Sequence, residues 1–259
     1  MRLGSPGVRV LRLGSSIDLE GETPPEERAA AIAARMLEAA CGEPVETIHR
    51  IAWPNEQMAD FVERWAKELE PDIVCFNVSS HWCEAELLAP RLREFGAPGR
   101  WIADFLDRST RNYNFNANWF VRFGRGAMRR VIQGRPPFTP AQAAESIEAT
   151  LRRLARNEHL GLALSGSPFS ASLDGGKLAQ KRAHQRRGQF FALLRETCES
   201  LHVPCELPPH APDAFDKSLR TRDRLHFGPE MHRRIGEIQG RVMVEAWKTS
   251  SAPARVVLP

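Results

Sequence analysis

Apolar residues recur along this chain in two alternating rhythms. Residues 8–14 place Val8, Val10, Leu11 and Leu13 in a short run that predicts a strand. A helix is expected next, from about Pro24 to Ala40. Thr23 can cap it, Pro24 suits its first position, and Glu26 completes a capping box. Gly42 and Pro44 stop it. Residues 45–52 predict a second strand. Residues 56–69 carry Met58, Phe61, Val62, Trp65 and Leu69 at helical spacing. Pro71 and Asp72 end that helix and launch Ile73 to Val78, nearly all apolar, as a strand buried on both faces should be.

The alternation continues to the C-terminus. A helix over about 83–95 carries Leu87, Leu88, Leu92 and Phe95, and Gly96 follows it. Thr139 to Gln142 repeats the capping-box pattern and opens a helix with Ile147, Leu151 and Leu154. Leu160 to Leu164 predicts a fourth strand, about 178–201 a long helix, and Val203 to Leu207 a brief fifth strand. A last helix is expected from Pro229 to about Trp247. Strands joined through helices imply a three-layer α/β/α sandwich around a mainly parallel five-stranded sheet. Ligands of such sheets sit beyond the carboxyl ends of the strands. The 259 residues fit one domain spanning 1–259. Residues 101–138 resist the alternation and read as an insertion or lid.

Composition changes this picture in two places. Five scattered cysteines suit reduced thiols better than a disulfide framework. Arg9 and Arg12 interrupt the N-terminal residues, unlike a secretory signal, and no run has the apolar length of a membrane span. A cytoplasmic protein is the expectation. The net charge of +4 is unevenly spread: from Arg108 to Ala144 there are seven arginines and no Asp or Glu. A surface of this kind favours anionic partners. Trp101, Phe105, Tyr113, Phe115, Trp119, Phe120 and Phe123 lie among or beside those arginines. They suggest a lid or substrate wall first, a satellite core second, and a single-stranded nucleic-acid surface third.

The chemistry sits at the chain's two ends. Val10 to Asp18 offers a serine on a turn after an apolar strand, and Thr221 to Pro229 offers Asp223 and His226 ahead of a helix. Together they supply a nucleophile, a base and an orienting acid. A serine hydroxyl is a weak nucleophile until a base takes its proton and a third group fixes the imidazole tautomer. Cys198, His202, Cys205 and His210 do not have the spacing of a recognised zinc site, so no metal is expected. No other cofactor is implied.

These segments resemble blocks of the SGNH/GDSL hydrolases. Gly14-Ser15-Ser16-Ile17 is similar to the Gly-Asp-Ser-Leu opening block. Pro71 to His81 resembles the third block, a Pro-Asp strand ending in Gly-x-Asn. Asp223-Arg224-Leu225-His226 resembles the closing Asp-x-x-His. The resemblance covers almost the whole chain outside 101–138. It implies an SGNH-hydrolase or flavodoxin-like sandwich with Ser16 as nucleophile, His226 as base and Asp223 as its partner. It also implies an oxyanion hole from the Ser16 amide, Asn55 in the second-block glycine position, and His81 in the third-block asparagine position. Ser15 replaces the family's aspartate and Ser79 its glycine. On residue type alone, Asn55 could instead be a helix cap, and His81 a loop histidine beside Trp82. Trp82 and Trp119 are candidates for the substrate wall. The expected substrate is a small ester, and the basic, aromatic stretch suggests one that carries a negative group. The alternative is a catalytically impaired binding protein of the same fold for an acidic ligand or glycan, with nucleic acid a remoter partner.

Overall fold

The computed structural model describes residues 7–15, 22–79, 81–109, 118–132, 134–170, 176–222 and 226–250. Five strands form one sheet in the order β2-β1-β3-β4-β5. They are β1 (Val8–Gly14), β2 (Val45–Ile51), β3 (Ile73–Val78), β4 (Gly161–Gly166) and β5 (Cys205–Glu206). Every pairing is parallel. The predicted α/β/α sandwich is therefore the fold observed.

Side-chain alternation divides the core into two layers. Val8 and Val10 of β1 and Ile73 and Cys75 of β3 face α1 (Ala29–Cys41) and the last helix of the chain, Pro229–Thr249. Leu11, Leu13, Val74, Phe76 and Val78 face the opposite way. That second layer is covered by α2 (Met58–Leu69), by a helix over Pro140–Leu154, and by a long helix over Gly176–Leu201. Asp72 explains the Pro-Asp pair that starts β3. Its carboxylate accepts from the Arg9 amide at 2.9 Å, and its carbonyl accepts from the Gly161 amide at 2.8 Å. One residue thus joins the amino ends of three strands.

The predicted helix over 83–95 is broken. α3 (His81–Glu84) and α4 (Leu88–Arg93) are separated by an extended link at Leu87, which exchanges backbone hydrogen bonds with Arg135. Pro90 supplies the reason: it has no N–H for the Glu86 carbonyl, so a continuous helix is interrupted there. The segment that resisted the alternation holds α5 (Gly96–Ser109) and α6 (Trp119–Val131). Leu88, Ala89, Leu92, Ala103, Leu106, Met128 and Ile132 form a satellite core beneath these helices. In chain order the remaining helices are α7 (Pro140–Leu154), α8 (Gly176–Leu201) and α9 (Pro229–Thr249). The α7 capping box forms as expected, with Thr139 and Gln142 serving each other's backbone.

Two glycines one turn apart let α9 lie close on α1. A Cβ at Gly236 would stand 2.7 Å from the Ile32 Cβ and 2.9 Å from the Ala29 carbonyl. One at Gly240 would press into the Met36 side chain. Backbone and branched carbon cannot yield as a flexible chain end can. Gly236→Ala is therefore expected to lower stability by about 1–3 kcal/mol in urea unfolding. Gly188→Ala, on an open face of α8 with nothing within 4 Å, should instead gain about 0.5–1 kcal/mol. Equal stability of Gly236→Ala and the parent would contradict the packing described.

Candidate active site

The parallel strands point their carboxyl ends to one rim. β1 ends at Gly14, with Ser15 buried just beyond it. Ser16 and Asp223 lie outside the described residues. His226 is described, two residues before Gly228, the N-cap of α9. Its carbonyl accepts from the Thr221 amide at 3.2 Å and hydroxyl at 3.3 Å. Gly228 donates to the Leu219 carbonyl at 2.9 Å, and a Cβ there would collide with that carbonyl. A tight two-stranded pinch at Arg220 and Phe227 thus holds the histidine segment. Arg220 also donates to the Ser170 carbonyl, which ties the pinch to the loop after β4.

Thr23 does not cap the first helix. α1 begins at Ala29, after a short 3-10 turn over Pro25–Glu27 that has no side-chain cap. The Thr23 hydroxyl donates instead to the Phe227 carbonyl at 3.2 Å. The two consecutive prolines, Pro24 and Pro25, delay the helix, and the hydroxyl finds a partner 204 residues away. This bond joins the chain just after the β1 loop to the residue following His226.

At the end of β3, the Ser79 hydroxyl accepts from the His81 amide at 3.3 Å and so stands at the start of α3. The His81 ring lies edge-on to Trp53, with centroids 6.3 Å apart. Trp53 is 41% exposed and also touches Phe138. Trp82, by contrast, is 2% exposed and belongs to the main core. It supports α3 from beneath and presents no wall to a substrate. Trp119 stacks on Phe120 on an exposed face of α6. The described contacts thus bring His81 together with Trp53, which sequence reasoning did not single out. The Asn55 side chain is engaged locally: its oxygen accepts from the Gln57 amide at 2.9 Å and its nitrogen donates to the Trp53 carbonyl at 3.1 Å. Both ends of the Asn55 side chain are thus used within its own turn, as a cap there would be.

A buried polar layer lies between β1 and α9. Arg12, 1% exposed, donates to Gln239 Oε1 at 3.0 Å and contacts His49 Nδ1 at 2.9 Å. A guanidinium can only donate, so His49 Nδ1 accepts and the ring is neutral. Burial, then Arg12 and Arg50, push the His49 pKa down to about 3. His232, fully buried on α9, accepts the Ala29 amide at Nδ1 over 3.3 Å. Burial, then Arg12 and Arg28, push it down to about 4.

A buried histidine–carboxylate pair is built on α3. Glu84, fully buried, accepts from the Ser170 hydroxyl and from His210 Nε2, each at 2.9 Å, with Arg187 at 3.6 Å. The other ring nitrogen of His210 meets His184 Nδ1 at 2.9 Å. Both nitrogens of His210 are thus occupied, and its side chain is 5% exposed. The pair resembles a base and its orienting acid, but no substrate atom can reach it. Its effect is to fix α3, and with it His81, to the loops after β4 and β5. Glu86 adds a clamp to α8 through paired bonds from Arg182 at 2.8 and 3.0 Å. Burial alone would raise the Glu86 carboxyl, but Arg182 and Arg186 outweigh it and hold it below the usual range. Nothing local in the sequence marks these partners, which are 86 to 126 residues apart. Among the described residues, no group of three or more His, Cys, Asp or Glu could hold a metal ion. All five cysteines are free thiols. No described helix is long and apolar enough to cross a membrane.

Two outcomes follow from these buried groups. His49 and His232 stay neutral in the folded protein to about pH 4, whereas the unfolded chain protonates them near 6.5. The unfolded state then binds more protons across that window, so stability falls as pH drops from 6.5 towards 4. Urea midpoints between about pH 7 and about pH 5 should show this decline, and the double variant His49→Gln/His232→Gln should flatten it. Glu84→Ala leaves the Arg187 guanidinium, His210 and the Ser170 hydroxyl without their buried carboxylate and should cost about 3 kcal/mol in thermal or urea unfolding. A change within about 0.5 kcal/mol would contradict its role.

No protein-family model and no curated protein matches the chain. Solved structures do match in fold. The psychrotrophic esterase EstA from Pseudoalteromonas sp., in a form inhibited by monoethylphosphonate, aligns over 92% of this chain and 97% of its own, with 11% identity and a TM-score of 0.50. A protein from Parabacteroides merdae ATCC 43184, described as a GDSL-like lipase, aligns over 94% of this chain and 97% of its own, again with 11% identity and a TM-score of 0.50. This chain thus shares its overall fold with that esterase and that GDSL-like lipase.

Proposed function

We propose that the chain is a serine esterase whose nucleophile comes from the loop after β1 and whose base comes from the segment before α9. The Ser16 hydroxyl attacks the ester carbonyl carbon while His226 takes its proton. Asp223 accepts a hydrogen bond from the imidazole and stabilises the imidazolium. The negative charge on the carbonyl oxygen is held by the amides of Ser16 and Asn55 and by a His81 N–H. His226 returns the proton to the departing alcohol. Water then attacks the acyl-enzyme, with His226 again acting as base, and the free acid leaves with Ser16 restored.

The observation that carries this reading is the bond between Thr23 and Phe227, 3.2 Å long. It ties the end of the β1 loop to the residue beside His226 at the carboxyl rim of the sheet. The position of His81 at the start of α3, beside the half-exposed Trp53, supports its assignment as an oxyanion donor. The fold shared with an esterase and a GDSL-like lipase agrees with ester hydrolysis.

A second reading is a binding protein of the same fold for an acidic ligand or glycan. It is favoured by Ser79 and His81 in place of the Gly-x-Asn end of the third block, and by the local engagement of the Asn55 side chain. It predicts no ester turnover by the parent protein.

Turnover of p-nitrophenyl esters of graded chain length separates the two. The parent should hydrolyse at least one ester, and Ser16→Ala and His226→Ala should each lower kcat by about 1000-fold or more. His81→Ala should lower kcat by about 100-fold with KM little changed, and His81→Asn should restore part of the loss. Undiminished turnover by Ser16→Ala would refute the mechanism, and an inactive parent would favour the binding protein.

A further inference from the structure

Helices α5 and α6 carry the same exposed signature. Trp101 and Phe105 stand one turn apart on α5, 68% and 47% exposed, with ring centroids 6.3 Å apart and planes within 16°. Trp119 and Phe123 stand one turn apart on α6, 59% and 70% exposed, with Phe120 at 66% between them. On a helix, positions four apart share a face. The opposite side of α6 is already used: Met128 and Ile132 pack into the satellite core. The aromatic faces are therefore additional to the fold and do not help to hold it.

The sequence of this region is strongly basic. Residues 91–135 contain ten arginines against three carboxylates, while the whole chain is only +4, so the remainder is net negative. Two of those three carboxylates are already paired: Asp104 with Arg93 at 3.2 Å, and Glu94 with Arg135 at 3.0 Å. Exposed Trp and Phe on helices rich in arginine have the character of segments that lie in the headgroup layer of a bilayer. The rings penetrate the boundary with the acyl chains, and the guanidinium groups meet anionic headgroups.

We infer that α5 and α6 form a docking surface for an anionic phospholipid membrane. The charge excess argues against a second copy of this chain, because two such faces would repel each other. The rings argue against single-stranded nucleic acid. Trp101 pairs with Phe105, and Trp119 with Phe120 at 3.7 Å, so part of the ring surface on which bases would stack is already taken. This surface does not depend on the esterase reading, and its test needs no turnover.

Vesicle flotation of the full chain tests it. Vesicles of phosphatidylcholine containing phosphatidylglycerol should carry the protein upward. Binding to phosphatidylcholine alone should be at least about tenfold weaker, and salt should weaken binding to the mixed vesicles. Trp101→Ala/Phe105→Ala and Trp119→Ala/Phe123→Ala should each reduce partitioning about tenfold, with thermal unfolding unchanged. No flotation on anionic vesicles, equal flotation on neutral ones, or variants that float like the parent would overturn the inference. So would sedimentation or heparin retention showing that these aromatics serve self-association or polyanion binding instead.

Discussion

The close seating of the last helix on the first helix and first strand is the constraint on which the candidate site depends. Gly236 and Gly240 allow α9 to approach α1 at backbone distance, and Arg12 reaches from β1 to Gln239 inside the same layer. The guanidinium cannot leave this position without abandoning buried partners. Because α9 starts just after His226, the seating of the helix decides where that imidazole stands. Because β1 ends just before the Ser16 loop, the same contacts decide where that loop departs. The histidine segment is thus located by packing some distance below it, and by the Thr23 bond beside it.

The other half of the rim is built on polar contacts. α3 is a single turn, too short to be stable alone. It is held by Ser79 at its start and by Glu84 and Glu86 at its end, with Arg186 donating to the Cys83 and Glu84 carbonyls. Trp82 fills the core beneath it. A buried carboxylate tied to Ser170 and His210 keeps the α3 turn in register with the loops after β4 and β5. An oxyanion donor needs such a support, since its value depends on being in place before charge develops. The lipid surface inferred for α5 and α6 would add orientation to this scaffold without altering it.

Much of the fold was legible because local rules and tertiary demands agree in it. The apolar runs at 8–14 and 73–78 are strands because both their faces are covered. The Pro-Asp pair before β3 serves the strand ends, as its place in the pattern suggested. The sequence misled where a local rule met a stronger remote partner. Thr23 fits a capping box by spacing, yet its hydroxyl serves Phe227. Pro90 did signal the break between α3 and α4, but the leucine stripe masked it. The Glu84 cluster was not legible at all, because its members come from α3, the loops after β4 and β5, and α8. Spacing along a chain carries no trace of such a meeting. His81 was singled out through the third-block resemblance, whereas its contact with Trp53 was not legible because the two rings come from the loops of different strands.

In the proposed mechanism a hydroxyl from the first loop is activated by the imidazole held ahead of the last helix. Peptide mapping by mass spectrometry after treatment with a fluorophosphonate tests this most directly, because the adduct forms on an activated serine and stays there. One adduct on the peptide containing Ser16, lost in His226→Ala, is the predicted result. An adduct on Ser15, Ser79 or any other serine, or one that persists at full yield without His226, would contradict the account.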